Sequence, residues 1–326
     1  MTRLSLENAE TRLTEIFATA GASPANAASV AWALVMAEAD GLKGHGLSRV
    51  PTYLAMLRSG KIDGQVVPKA SRPKPGVLAI DAGHGFAYPA IDLAIAEIPD
   101  LAREQGIVAA PIRRSNHCGA AGLHVERLAE QGLVAMLFAN TPGAIAPWGG
   151  SKPVFGTNPI AFAAPLAGRE PVVIDMALSK VARGPIVAAK QKGQAIPEGW
   201  ALDVHGKPTT DAAAALAGTM VPLGDAKGAT LAMMVEILAA ALVGAHFGFQ
   251  ASSFLDAAGG PPDTGQLILA IDPHAMGGHW FDERMRALVH AIEAQEGTRL
   301  PGVRRLTLRA KARAEGIEMP EELLSS

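Results

Sequence analysis

The first sixty residues place apolar side chains at helical spacing. One apolar face predicts a first helix, and Gly21 stands where a left-handed cap would end it. Ser23 followed by Pro24 predicts the start of a second helix, which Asp40-Gly41 ends. A third helix is predicted over residues 51–57. The face of the first helix consists of Ala9, Leu13, Ile16, Phe17 and Ala20.

After residue 75 the pattern changes to short apolar runs separated by longer amphipathic stretches. The runs predict buried strands and the amphipathic stretches predict helices. Because strands and helices alternate, the segment predicts an α/β sheet layer. The predicted strands are residues 77–80, 106–110, 132–138, 159–164, 172–174 and 267–271; the predicted helices are 89–103, 120–130 and 281–294, the last followed by a basic tail.

Residues 229–245 are almost wholly apolar, which raises the question of a membrane span. Glu236 lies within this stretch, and a spanning helix needs about 20 apolar residues without a central carboxylate. We therefore predict a buried core helix that covers one face of the sheet, and no membrane association.

Composition narrows the class of protein. The chain has 326 residues and 49% hydrophobic content, enough for about two domains with a substantial core. A net charge of -2 provides no basic surface for nucleic acid. The single cysteine, Cys118, excludes an internal disulfide framework, and no apolar signal region opens the chain. These features predict a cytoplasmic protein.

The first candidate for chemistry is Gly44-His45-Gly46 with Arg49 one helical turn later. Glycine on both sides gives an imidazole room, and histidine can give or take a proton near neutral pH. Arg49 offers a planar fork of donors that matches a carboxylate. The motif predicts a proton donor beside a carboxylate anchor. The alternative is that the glycines only close a helix and form a turn in which His45 is exposed.

The G-x-G-x-x-G motif of Rossmann dinucleotide-binding folds is absent from the sequence. Residues 115–122 instead follow a predicted strand and open a helix, where backbone N–H groups could receive a phosphate. Residues 155–159 form a rigid turn that carries a hydroxyl and an amide. Ordinary turn chemistry is the alternative explanation for each loop.

Taken in order, these motifs resemble the malate/L-lactate dehydrogenase-type oxidoreductases. This non-Rossmann family includes sulfolactate and ureidoglycolate dehydrogenases and the Δ1-piperideine/Δ1-pyrroline-2-carboxylate reductases. The matching motifs are residues 40–49, 116–119, 146–150, 155–161, 173–175, 182–184, 196–203, 208–211 and 227–228. The stretches 196–203, 224–228 and 249–254 resemble the sulfolactate dehydrogenase-like branch most.

The resemblance implies an α/β, malate/L-sulfolactate dehydrogenase-like fold. It would have a helical domain, residues 1–75, carrying His45 and Arg49, and an α/β NAD(P)-binding domain, residues 76–279. Helices within about 280–326 would pack back on the helical domain. The family also implies a homodimer or larger homo-oligomer and a small carboxylate substrate.

The resemblance also assigns roles to residues. His45 and His117 are the candidate acid/base groups, Arg49 would hold the substrate carboxylate, and Thr157 would contact the substrate. The cofactor would be NADP, with NAD as an alternative. Its contacts would be His117, Cys118, Gly119, Ala120, Ala121, Asp175, Met176, Ala177, Arg183, Gly184, Ala226, Lys227, Arg299, Gly302, Arg304 and Arg305. No metal is expected, because His117 and His124 have no third ligand at suitable spacing.

The implied activity is hydride transfer at C2 of a small 2-oxo or 2-hydroxy acid of the malate, lactate or sulfolactate type. One alternative is NADPH-dependent reduction of cyclic imino acids, and another is a non-catalytic nucleotide-binding homologue. Two departures separate this chain from the reductase pattern, which has serine before the histidine and aspartate after the Arg-Gly pair. Gly44 and Pro185 stand there and offer no side-chain hydrogen bond. Lys43 is a candidate for tuning His45 electrostatically.

Overall fold

A layer of helices at the start of the chain carries the first candidate motif. The computed structural model of the chain describes residues 2–324. Helices α1 (Leu6–Thr19), α2 (Pro24–Ala39) and α3 (Val50–Ser59) share one hydrophobic core. The predicted start of α2 is confirmed, since the Ser23 hydroxyl accepts a hydrogen bond from Asn26 N at 3.3 Å.

The end of the chain completes this helical layer. The basic residues that follow the predicted helix 281–294 lie largely on a further helix, α11 (Val303–Glu315). Strand β12 (Ile317–Met319) then pairs antiparallel with β1 (Thr2–Leu4). Ile317 and Met319 are buried in the same core as α1 and α2. The first and last elements of the chain therefore belong to one structural layer.

A seven-stranded sheet forms the centre of the molecule, in the order β2-β3-β4-β11-β5-β6-β7. Only β3 and β4 are parallel, and α4 (Ala87–Gln105) connects them; the other neighbours are antiparallel. The strands are β2 (Lys69–Lys74), β3 (Val77–Asp81), β4 (Ile107–Ser115), β5 (Val134–Ala139), β6 (Ile160–Leu166), β7 (Arg169–Met176) and β11 (Thr264–Ile271).

Alternate side chains of the sheet enter two different cores. On one face α4 and α5 (Ala121–Ala129) pack against residues such as Val108, Ala135 and Ile268. On the other face α8 (Ala226–Glu236) and the following π-helical turn (Ile237–Ala241) pack against Phe138 and Leu267. The loop that carries His117 follows β4, and the loop that carries Thr157 precedes β6, so both start from a sheet that is covered on its two faces.

Helix α8 is less enclosed than the apolar sequence predicted. Its inner face, with Ala229, Ala232 and Val235, is buried. The opposite face is exposed and apolar, formed by Leu231, Met233, Met234 and Ile237. The apolar run therefore serves two surfaces, only one of which is the core. Within residues 2–324 no helix is both long enough and apolar enough to cross a membrane.

The remaining elements lie around the sheet. Helix α6 (Arg183–Gln191) and α7 (Ala212–Ala217) accompany a small sheet of β8 (Ala201–Leu202), β9 (Pro208–Thr209) and β10 (Thr219–Met220). Helices α9 (Pro273–Gly277) and α10 (Trp280–Glu293) follow β11. Helix α10 packs on the sheet side through Val289 and Leu166, whereas α11 lies on α2. The domain limits at 75 and 279 stay a prediction.

Candidate active site

The two candidate histidines, His45 and His117, lie in contact with each other. His45 lies in a 3-10 turn (Lys43–His45) just after α2, and His117 lies in the loop after β4. Their rings stack with centroids 5.2 Å apart and planes 22° apart. Residues far apart in the sequence therefore form one site between the helical layer and the sheet.

Burial and Arg49 together determine the electrostatics of this pair. Its Nε donates to the Gly44 carbonyl at 2.7 Å, and one terminal nitrogen lies 3.4 Å from the Phe254 carbonyl. Burial, followed by the positive charge of Arg49, lowers the pKa of His45 to about 4. The same two causes, with His45 as a third, lower the pKa of His117 well below its usual value. Without a bound anion, both rings are neutral at neutral pH.

No side chain of the described residues holds His45 by a hydrogen bond. Its Nδ1 is buried and has no hydrogen-bond partner among residues 2–324. Gly44 is exposed, and a side chain there would enter open space, so the chain simply lacks the expected serine. Lys43 pairs with Glu38, and Arg49 is the charge that acts on His45, so the structure gives no support for tuning by Lys43.

His117 has an orienting partner that sequence reasoning missed. Tyr53, on α3, places its hydroxyl 2.6 Å from His117 Nδ1. Tyr88, on α4, places its hydroxyl 3.0 Å from that of Tyr53. Both tyrosines are fully buried, and burial raises the pKa of Tyr53 to about 12. In the sequence these residues look like ordinary core aromatics.

A loop held by a buried lysine closes the site on another side. The Phe254 ring lies 5.2 Å from the His117 ring. Lys61 has no exposed side-chain surface, and its ammonium donates to the carbonyls of Ser253, Asp256 and Ala258 at 2.7 to 3.0 Å. Lysine is seldom buried without such partners. Lys61 therefore positions the loop that brings Phe254 to His117.

Thr157 lies in a turn that a buried carboxylate supports. The backbone N–H of Thr157 donates to Thr141 Oγ1 at 2.9 Å, and the two threonine hydroxyls lie 3.3 Å apart. Asn158 adopts a positive φ of 40° and donates to Glu236 at 2.7 Å. Glu236 also accepts hydrogen bonds from Asn140 and Gly248. The carboxylate within the apolar helix thus anchors the turn that carries Thr157.

The loop from His117 to Ala121 leads into α5. Asp175 at the end of β7 accepts a hydrogen bond from Gly122 N at 2.7 Å, so that N–H is not open to a phosphate as expected. The N–H groups of Gly119, Ala120 and Ala121 have no acceptor within residues 2–324. Burial raises the pKa of the Cys118 thiol to about 12, which makes it inert as a nucleophile. His124 instead contacts the Cys118 carbonyl at 2.8 Å.

Basic residues near the C-terminal helix line a cavity of about 380 Å³ beside Asp40, Gly41 and Leu42. Arg299 and Arg304 are exposed there and make no ion pair within the described part of the chain. Gly302 adopts a positive φ of 88° as α11 begins. Arg305 differs, because its guanidinium donates to Glu126 and Asp40 at 2.6 to 3.0 Å. The Arg305 guanidinium is therefore already bound by two carboxylates of the protein.

The other predicted cofactor residues lie along a second stretch. Ala226 and Lys227 open α8 and are exposed, while Arg183 and Gly184 open α6. Leu178 N donates to the Thr157 carbonyl at 2.7 Å, which joins the segment after Met176 and Ala177 to the Thr157 turn. Asp175, which accepts the hydrogen bond from Gly122 N, links this second stretch to the loop before α5. Their roles stay predictions.

A model of the malate/L-lactate dehydrogenase family matches residues 4–326. The chain belongs to the malate/L-lactate dehydrogenase family. The expected family, the α/β fold and an oxidoreductase activity are thereby confirmed.

Three relatives of this malate/L-lactate dehydrogenase family member cover nearly all of it. A (2R)-3-sulfolactate dehydrogenase (NADP(+)) of Chromohalobacter salexigens is 52% identical over 326 residues, covering 98% of this chain and 96% of its own. A Δ1-pyrroline-2-carboxylate/Δ1-piperideine-2-carboxylate reductase of Pseudomonas putida is 42% identical, covering 99% and 95%. The crystal structure of the Δ1-piperideine-2-carboxylate reductase from Pseudomonas syringae pvar. tomato is 39% identical, with a TM-score of 0.94 and coverage of 100% and 98%.

Proposed function

We propose that this protein is an NADP-dependent dehydrogenase that acts at C2 of a small 2-hydroxy or 2-oxo acid of the sulfolactate type. The observation that carries the proposal is the pair of stacked histidines beside Arg49, with His45 Nδ1 unpaired among the described residues. The 52% identical relative, named as a sulfolactate dehydrogenase that uses NADP(+), supports the substrate and cofactor classes.

The residues present fit a nicotinamide dinucleotide. The free N–H groups of residues 119–121 suit a pyrophosphate, because backbone donors at a helix start bind anions. Arg299 and Arg304 make no ion pair within residues 2–324 and suit the 2'-phosphate of NADP. Arg305 would support this loop through its ion pairs. When bound, the cofactor supplies or accepts the hydride.

The chain's own residues perform the remaining tasks. Arg49 binds the substrate carboxylate and so places C2 and its oxygen beside the two imidazoles. Binding an anion at Arg49 also offsets the charge that disfavours a protonated histidine. One histidine holds the proton at the substrate oxygen during reduction and receives it during oxidation. Phe254 and the loop held by Lys61 exclude water from this position.

Cyclic imine reduction is the second candidate, supported by the 42% identical reductase and the fold match to another. Gly44 and Pro185 argue for the 2-oxo acid, because they remove the serine and aspartate of the reductase pattern. A non-catalytic role is disfavoured because His45, His117 and Arg49 remain together in one site.

The deciding experiment compares kcat/KM with NADPH for sulfopyruvate, oxaloacetate, pyruvate and Δ1-piperideine-2-carboxylate. We expect sulfopyruvate to be the best substrate. A rate confined to the imine would transfer the assignment to the second candidate. Binding of NADPH, seen by fluorescence, without turnover of any of the four would favour the non-catalytic homologue. Parallel assays with NADH test the cofactor preference.

The exposed apolar face of α8 supports the homo-oligomer that the family resemblance implies. Leu231, Met233, Met234 and Ile237 expose a continuous apolar stripe, and such stripes mark interfaces. A second copy of this chain is the proposed occupant. Met234→Glu should convert the assembly to a smaller species in light scattering, and an unchanged mass would reject this face. A cytoplasmic location stays a proposal that rests on the lone buried thiol.

A further inference from the structure

The direction of one buried hydrogen-bond chain determines where His117 carries its proton. The chain runs through His117 Nδ1, the Tyr53 hydroxyl and the Tyr88 hydroxyl, with steps of 2.6 and 3.0 Å. If His117 donated to Tyr53 and Tyr53 to Tyr88, the Tyr88 proton would have no acceptor within residues 2–324. A buried donor without a partner costs about 1–3 kcal/mol. In the opposite direction both hydroxyl protons have an acceptor, and only the His117 Nε2–H remains without a partner within residues 2–324.

Tyr88 therefore donates to Tyr53, and Tyr53 donates to His117 Nδ1. A neutral imidazole whose Nδ1 accepts must carry its proton on Nε2. The Nε2 of His117 has no hydrogen-bond partner within the described residues, and the ring lies against His45 and Phe254. The N–H is thus free to donate to a substrate held beside His45. Its loss would leave an imidazolate, so this N–H polarises a carbonyl without leaving the ring.

His45 is held differently. Neither of its ring nitrogens bonds to the protein within residues 2–324, so no partner fixes its tautomer. It is also more accessible than His117, which is only 8% exposed. A ring with this freedom can take up a proton from solvent and pass it on.

We propose that Tyr53 and Tyr88 lock His117 as a neutral Nε2–H donor to the substrate oxygen, while His45 alone carries the proton. The inference rests on the proposed function. In reduction, C2 gains a hydride and its two electrons from the reduced cofactor, and the oxygen gains a proton from His45. Solvent then reprotonates His45. Oxidation reverses each transfer, and His117 donates its hydrogen bond in both directions.

Amide substitutions separate the two roles. Glutamine supplies an N–H donor but cannot transfer a proton, so it can replace His117 and cannot replace His45. We expect His117→Gln to keep kcat within about tenfold of wild type, and His117→Ala to lose about a hundredfold, as when an oxyanion-hole donor is removed. His45→Gln and His45→Ala should both lose about a hundredfold or more. Equal losses in His117→Gln and His117→Ala, or an active His45→Gln, would overturn the proposal.

A second measurement tests the lock without turnover. Long-range ¹H–¹⁵N NMR of the wild-type protein should show His117 as a single neutral tautomer protonated at Nε2. Tyr53→Phe should abolish this preference, whereas Tyr88→Phe should keep it, because Tyr53 still has no other acceptor. A wild-type ring protonated at Nδ1 contradicts the inference whatever the substrate is. Absence of turnover on every substrate of the panel would count against the proposed function and not against the tautomer.

Discussion

Arg309→Met tests whether the buried ion pairs between α2, α5 and α11 stabilise the protein. Arg309 donates to Asp40 at 2.6 and 2.8 Å and to Glu126 at 2.7 Å. Arg305 contacts the same two carboxylates. The side chains of Arg309, Asp40 and Glu126 are 5% exposed or less. Two guanidinium groups balance two carboxylates, and methionine at 309 would leave one buried negative charge unbalanced.

The magnitude follows from this geometry. Removing one partner of a buried ion pair costs about 3–5 kcal/mol. Arg305 still contacts both acids in the variant, and the methionine side chain still fills apolar space. We therefore expect a loss near the lower end, about 3 kcal/mol in the free energy of unfolding.

The assay is urea unfolding monitored by circular dichroism, with the midpoint compared at unchanged slope. Arg169→Met is the matched control, because Arg169 and Glu293 also form a two-point contact, at 2.7 and 2.9 Å, but are 50% and 40% exposed. Exposed pairs contribute about 0.2–1 kcal/mol. If Arg309→Met shifts the midpoint no more than Arg169→Met, the argument from burial is wrong.

Three further predictions concern the same elements. Burial acts to raise the pKa of Glu126, but the hydrogen bonds and charges of Arg305 and Arg309 give a net lowering of that pKa. The ionised Glu126 carboxylate therefore stabilises the folded protein above its unfolded pKa of about 4.3, and this stabilisation is lost as pH falls through the folded pKa. The stability difference between wild type and Glu126→Gln should therefore shrink as pH is lowered from neutral to about 3, and a constant difference would contradict it. Lys61→Met should release the Phe254 loop and raise KM for the acid substrate, while the NADPH affinity measured by fluorescence titration stays unchanged. Lys69→Met, at an exposed position, is the control. A parallel loss of NADPH affinity in Lys61→Met would point to general unfolding. The double variant Gly44→Ser, Pro185→Asp should raise the ratio of kcat/KM for the cyclic imine to kcat/KM for the 2-oxo acid. A serine side chain at position 44 meets open space and therefore fits. An unchanged ratio would show that these two positions do not select the substrate.

The sequence predicted elements well where local chemistry decides them. Ser23-Pro24 starts α2 because the hydroxyl caps the helix and proline needs no N–H partner there. Apolar runs became strands because both faces of the sheet are covered. Helices within residues 280–326 were implied by the family resemblance and not by the apolar pattern, because the few apolar positions of α11 are surrounded by basic residues. Tertiary ion pairs bury Arg309 and half-bury Arg305.

Within the site, the sequence indicated His45, Arg49 and His117 because each stands in an unusual local pattern. Tyr53, Tyr88 and Lys61 gave no such indication. An isolated tyrosine or lysine does not show which distant atom it contacts, and the 2.6 Å contact of Tyr53 depends on how α3 packs beside the His117 loop. Glu236 was interpreted only as an argument against a membrane span, although its carboxylate positions Asn158.

The pairing of β1 with β12 has a consequence for biosynthesis. The layer that carries His45 buries Ile317, Met319 and Leu323 beside Leu13 and Phe17, and Asp40 meets its arginines only on α11. During synthesis on the ribosome, the core of the N-terminal helices stays incomplete until the C-terminal segment has been made. Long-range contacts of this kind slow folding. Nascent chains arrested before residue 303 should therefore stay protease-sensitive around α1 and α2, so the oldest part of the polypeptide is among the last to reach its native state.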